Sequence, residues 1–122
     1  MNIVEKKYYN YCIVPTDIYQ HLPTLKKYAE ECEHITELGV RSVISTWAFL
    51  MGKPKKLVSV DLISPESLGQ NLQEVYEAAK DINVDFEFIL GDDLEVELEE
   101  TDLLFIDTYH DYTHLIKELN KL

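Results

Sequence analysis

Glycine is scarce in this chain, with four residues in 122, and the scarcity removes several kinds of chemistry. There is no Gly-x-Ser-x-Gly elbow to lift a serine nucleophile clear of a sheet. There is no glycine-rich loop ending in Gly-Lys-Ser/Thr to cradle a polyphosphate. A nicotinamide-type turn wants Gly-x-Gly-x-x-Gly, and the turn that follows the first apolar strand offers only Gly39. Cysteine is scarcer still. Cys12 and Cys32 lack metal-type spacing, and neither has a histidine partner by sequence. They read as free thiols of a cytosolic protein. No apolar run reaches the ~18 residues needed to span a bilayer. The opening Met1-Asn2-Ile3-Val4-Glu5-Lys6-Lys7 lacks the apolar core of a signal peptide.

Basic residues are also few: 11 Lys and Arg against 23 Asp and Glu, a net charge of −12. The imbalance is uneven. Residues 1–60 hold eight bases and six acids, whereas residues 61–122 hold three bases and seventeen acids. Such a surface repels phosphate backbones and anionic headgroups, so neither nucleic acid nor a membrane is expected as a partner. The acidic run Asp92–Asp102 reads first as a solvated loop.

What is present is enough for one domain. A chain of this length can bury roughly 65% of its unfolded surface, and 46% of its residues are hydrophobic. Residues 1–15, with Tyr8, Tyr9 and Tyr11 before Pro15, read as an irregular aromatic arm that packs on the body or a partner. Thr16 or Asp17 can cap a short helical entry. Pro23 suits the first turn of a helix to about Cys32, with Leu22, Leu25, Tyr28, Ala29 and Cys32 at helical spacing. Residues 1–33 thus form an arm and helix, and 34–122 a core.

In that core, His34–Val40 predicts a first strand. Ser42 or Ser45 can cap a helix through Trp47, Ala48, Phe49, Leu50 and Met51, closed by Gly52. Trp47 and Phe49 read as core. Lys56–Leu62 predicts the second strand. Ser64-Pro65-Glu66 opens a helix whose apolar positions are Leu68, Leu72, Val75, Ala79 and Ile82. Asp85–Leu90 and Leu103–Ile106 predict the third and fourth strands, and Asp111–Leu122 a closing helix. The connection Gly91–Thr101 is too short and acidic to read as a helix, which leaves one sheet face thinly covered. Alternating strands and helices imply parallel pairing with right-handed crossovers. The expectation is a three-layer α/β Rossmann-like sandwich with a short, mostly parallel four-stranded sheet of order 3-2-1-4. There is no internal repeat or linker.

The landmarks are Glu37-Leu38-Gly39, Val60-Asp61, Leu90-Gly91-Asp92-Asp93 and Phe105-Ile106-Asp107. Acids recur at the carboxyl ends of apolar strands, the rim where open α/β sheets bind ligands. Together with Val40-Arg41-Ser42, Ser45-Thr46-Trp47-Ala48 and Thr108-Tyr109-His110, this order resembles a class I S-adenosylmethionine-dependent methyltransferase of the bacterial and phage O-methyltransferase-like group. The resemblance covers about residues 30–122.

It implies a set of roles. The Glu37–Gly39 turn meets the methionine end of the cofactor, because glycine lets backbone approach a ligand closely. Asp61 accepts from the ribose hydroxyls and Asp92 from the adenine amine. Asp107 falls where metal-dependent members hold a cation, and Asp107 and His110 lie nearest the chemistry. Bland alternatives stand beside these: Glu37 pairing with Arg41 or capping, Asp61 capping the turn near Ser64, and Asp92 as one more solvated acid. Two departures matter. Val43 replaces the group's second glycine, and a full domain of the group adds about three more strands. Without further acidic ligands, Asp107 alone is a poor metal site.

His110 and His114, with Asp107, have a spacing that can hold zinc, and capping or surface roles are the plainer account. His110 also suits a general base. The expected function is methyl transfer to an oxygen of a small acceptor such as a sugar, in the cytoplasm. The rival is a non-catalytic remnant that works as a binding or assembly module. A fourth strand left at an open edge invites pairing with another chain, so a homo-oligomer through that edge, or a tight complex that covers it, is expected. A subunit interface that completes the site is a third possibility.

Overall fold

The computed structural model describes residues 2–13, 19–40, 43–92 and 101–106. Its elements run α1 (Ile3–Ile13), a 3-10 turn (Tyr19–His21), α2 (Leu22–Glu30), β1 (His34–Leu38), α3 (Ile44–Met51), β2 (Lys56–Asp61), a second 3-10 turn (Pro65–Leu68), α4 (Leu72–Asp81), β3 (Asp85–Leu90) and β4 (Leu103–Ile106). The sheet order is β3-β2-β1-β4 and all three pairings are parallel. This is the expected Rossmann-like topology. The expected closing helix over 111–122 lies outside the described residues, as do Thr16 and Asp17. No described helix is long and apolar enough to cross a membrane.

All four helices contribute to one core, on the sheet face that carries Ile35, Leu57 and Phe86. Val4 comes from α1, Ala29 from α2, Trp47, Phe49 and Leu50 from α3, and Val75, Ala78 and Ala79 from α4. The opposite face carries Leu38, Val58 and Val60, which are also buried. Strand geometry sends successive side chains to opposite faces, so Glu37, Ser59 and Asp61 share the face of Leu57. That parity sets the site described below.

Three local expectations are corrected. The first concerns residues 1–15, expected to be an irregular arm. Ile3–Ile13 is helical, started by a capping box: Asn2 Oδ1 accepts from the Glu5 N–H at 2.8 Å, and the Asn2 N–H donates to Glu5 Oε1 at 3.4 Å. Val4 and Tyr8 are buried. Burial, aided by Cys12, pushes the Tyr8 hydroxyl pKa well above its ordinary value. The second concerns the helix expected from Ser64. The Ser64 hydroxyl accepts from the Glu66 N–H and starts only a 3-10 turn. That turn closes at Gly69, and Asn71 caps α4 through the Glu74 N–H at 3.2 Å. Leu68 is therefore exposed rather than core. The third concerns α3. Its N-cap is Val43, with no side-chain cap bond; Ser45 is turned inward instead, and Ser42 lies outside the described residues.

The two borders of the described sheet are finished differently. At the two ends of β3, the Asp85 N–H donates to Lys55 O and the Gly91 N–H to Asp61 O, so the alternate amide of Phe88 faces outward. It donates to the hydroxyl of Tyr76 at 2.8 Å, and the Tyr76 ring stacks edge-on against Phe86. On β4, Asp102 reaches across to the start of β1. Its carboxylate accepts from the Glu33 N–H at 2.9 Å and the His34 N–H at 3.1 Å.

These amide bonds hold the Asp102 carboxyl below its ordinary pKa of 3.8. A depressed folded pKa stabilises above the unfolded value, and the benefit fades as pH falls through it. Between about pH 6 and about pH 3, the wild type should lose more thermal stability than Asp102→Asn. Parallel losses in both proteins would show that the charged form makes no special contribution.

Candidate functional site

Parallel strands bring the carboxyl ends of β1, β2 and β3 to one rim. There the ladder continues past the strands: the Gly39 N–H donates to Val60 O at 2.8 Å and the Gly91 N–H to Asp61 O at 2.9 Å. Gly39 sits at φ +89, a left-handed conformation that suits glycine, and it is buried where β1 ends. The switch in strand order falls between β1 and β4, where open α/β sheets form a ligand crevice.

Asp61 closes β2, half-buried, and is the organising residue. Its Oδ2 accepts from the Val40 N–H at 2.8 Å and its Oδ1 from the Ile63 N–H at 3.2 Å. One oxygen thus fixes the β1–α3 connection and the other fixes the turn after β2. The capping alternative is therefore real here, and it is compatible with binding, since a carboxylate can accept about four hydrogen bonds. Leu62 and Ile63, which follow Asp61, are 47% and 50% exposed, and its register partner Leu90 is 61% exposed. An acid at the rim is flanked by uncovered apolar side chains, a pairing that fits a sugar joined to a flat base.

Glu37 is placed differently. It is fully buried and its carboxylate accepts from three hydroxyls. Ser45 Oγ donates to Oε2, Thr46 Oγ1 to Oε1 at 2.6 Å, and Ser59 Oγ to Oε1 at 2.8 Å. Sequence alone gives Ser59 and Thr46 no role as partners of Glu37. A lone hydroxyl inside Leu57-Val58-Ser59-Val60 was the available signal, because a buried donor needs a partner.

Val43 adopts φ +59 and is 1% exposed, packed in the main core. The branched side chain is buried with the helices, and its cost falls on the backbone, where a left-handed non-glycine residue costs roughly 1–2 kcal/mol. Asp92 follows Gly91 at the rim and is half-buried. Asp107, His110 and His114 lie outside the described residues. Among the described residues, no group of three or more His, Cys, Asp and Glu could hold a metal ion.

No family model matches the chain, and no curated protein matches it in sequence. Solved structures do. An SAH-bound methyltransferase from Podospora anserina superposes with a TM-score of 0.67 at 19% identity, over 97% of this chain and 56% of that one. An O-methyltransferase from Bacillus cereus in complex with SAH gives 0.64 at 16% identity, over 96% and 60%. A protein of Pyrococcus horikoshii, classed as a candidate RNA methyltransferase, gives 0.65 at 12% identity, over 99% and 67%. The chain therefore spans a little over half to two thirds of the length of these structures. Its fold is the Rossmann-like fold of S-adenosylmethionine-dependent methyltransferases.

Proposed function

We propose that the rim binds S-adenosylmethionine and that the chain is an S-adenosylmethionine-dependent methyltransferase-like protein directed at an oxygen of a small molecule or sugar. The observation that carries this reading is Asp61. Its carboxylate ends β2 at the rim, holding the Val40 N–H just after the left-handed Gly39 and next to exposed Leu62 and Ile63. In this reading Asp61 holds the ribose hydroxyls, Gly39 admits the methionine end, Leu62 and Ile63 face the base, and Asp92 accepts from the adenine amine. The cofactor supplies an activated methyl group. The protein's part is to hold donor and acceptor in line, with Asp107 and His110 as the groups nearest the acceptor on sequence grounds.

A small acceptor is favoured over RNA by charge: −12 overall, with seventeen acids against three bases in residues 61–122. Two free thiols, Cys12 and Cys32, suit the cytoplasm.

Calorimetry with S-adenosylmethionine and SAH tests the reading. Both should bind the wild type, and Asp61→Asn should weaken each by roughly tenfold to a hundredfold, the loss expected for hydrogen bonds to a charged group. Equal affinity in wild type and variant would remove Asp61 from the site.

The second reading is a non-catalytic remnant serving as an oligomerising assembly module. Val43 favours it, since a strained valine stands where the resembling group has glycine. β4, a border strand among the described residues, would then pair with a second copy. Absence of heat with either ligand, together with a dimer by light scattering, supports this alternative.

A further inference from the structure

We propose that Glu37 is a positioning residue: a buried carboxylate that locks the β1–α3 connection onto β2 and so shapes the rim, without touching the cofactor itself. The inference rests on the cofactor reading above and revises the contact that the family resemblance implies for this side chain.

Three observations converge on it. Glu37 is 0% exposed, so a solute at the rim does not reach its carboxylate. Its hydroxyl partners come from two other elements: Ser45 and Thr46 in the first turn of α3, and Ser59 in β2. The Ser59 contact is set by register, since Glu37 and Ser59 are paired residues of adjacent strands. A buried carboxylate without donors is strongly disfavoured, so the three hydroxyls and the carboxylate specify one another's positions.

The geometry explains what this achieves. Two residues beyond Glu37 the chain reaches Gly39, and Val40 then donates its N–H to Asp61. The connection is thus gripped twice, from beneath by Glu37 through α3 and from the rim by Asp61. β2 supplies the far side of both grips, through Ser59 and Asp61. If the inner grip loosens, Val40 and Asp61 lose their mutual placement, and the ribose site loses its shape. The effect on ligands passes through backbone, not through a contact.

The test separates placement from contact. 5′-Methylthioadenosine carries the nucleoside and lacks the amino-acid end of S-adenosylmethionine. A positioning role predicts that Glu37→Gln weakens both ligands by a similar factor, roughly tenfold, and that the Val40 amide exchanges its hydrogen faster. A loss confined to S-adenosylmethionine, with 5′-methylthioadenosine unchanged, would mean direct contact with the amino-acid end and overturns the proposal. Ser59→Ala and Thr46→Val each remove one donor and should reproduce the pattern at smaller amplitude, which serves if Glu37→Gln does not fold. Val75→Ala, in α4, should lower stability with both affinities intact. If neither ligand binds the wild type, the cofactor reading fails by itself. Val40 exchange then decides the positioning role alone, and unchanged exchange in Glu37→Gln or Ser59→Ala overturns it.

Discussion

Phe49→Ala should cost about 3–5 kcal/mol of folding stability, the range for truncating a buried aromatic. Phe49 is 0% exposed. It projects from α3 onto the sheet and meets Phe105 of β4 edge-on, with ring centroids 5.4 Å apart. The substitution removes core volume and an aromatic pair that joins the helix layer to a border strand. Such pairs add about 0.5–1.5 kcal/mol beyond their buried area. Thermal denaturation should show a fall in Tm on the order of 10–20 °C. A loss below about 1 kcal/mol would mean that α3 does not pack on β4 as described.

Gly52→Ala should also destabilise, by about 1–3 kcal/mol, and the sign is the informative part. Gly52 lies at φ −75, which any residue adopts. On backbone grounds alone, alanine should stabilise by about 0.4–1 kcal/mol through the unfolded chain. Contact reverses that. A Cβ at this position would stand 2.4 Å from Ala29 Cβ and 2.9 Å from both the Ala29 carbonyl carbon and the Glu30 nitrogen. Two of those three atoms are backbone, so α2 and α3 would have to separate. Restoring room with Ala29→Gly in the same chain should recover part of the loss, as a double-mutant cycle reads it. If Gly52→Ala melts at or above the wild-type temperature, the helices are not in such close approach.

Gly52 also shows where sequence reasoning stops. A glycine after an apolar helical run reads as a stop signal, and α3 does end there. The stronger reason for glycine is a neighbouring helix 23 residues earlier, at Ala29, which spacing along the chain does not reveal. Glu37 is the same case. Its acid and the following Gly39 were legible as a strand end. Its clasp by Ser45, Thr46 and Ser59 depends on strand register and helix docking, which no local pattern encodes.

Strands β2 and β3 and helix α4 were legible because their apolar spacing is regular, and parallel pairing followed from alternation and handedness. Helix α1 was missed although Val4, Tyr8, Tyr11 and Cys12 fall on one helical face. Three tyrosines in four residues obscure that period, and the Asn2–Glu5 box is the local signal that marks the helix start. Leu68 kept time with α4 and still lies outside it, because Gly69 breaks the chain's direction. Asp61 was the most readable candidate: an acid that closes an apolar strand stands at the sheet's end.

One phenol governs how this sheet meets its surroundings. With the Tyr76 oxygen seated on the Phe88 amide, a strand arriving along β3 would have to evict a ring already stacked on Phe86. Lateral recruitment is thereby discouraged on that flank. A single aromatic side chain thus occupies the middle of this margin, where an incoming backbone would need a free donor.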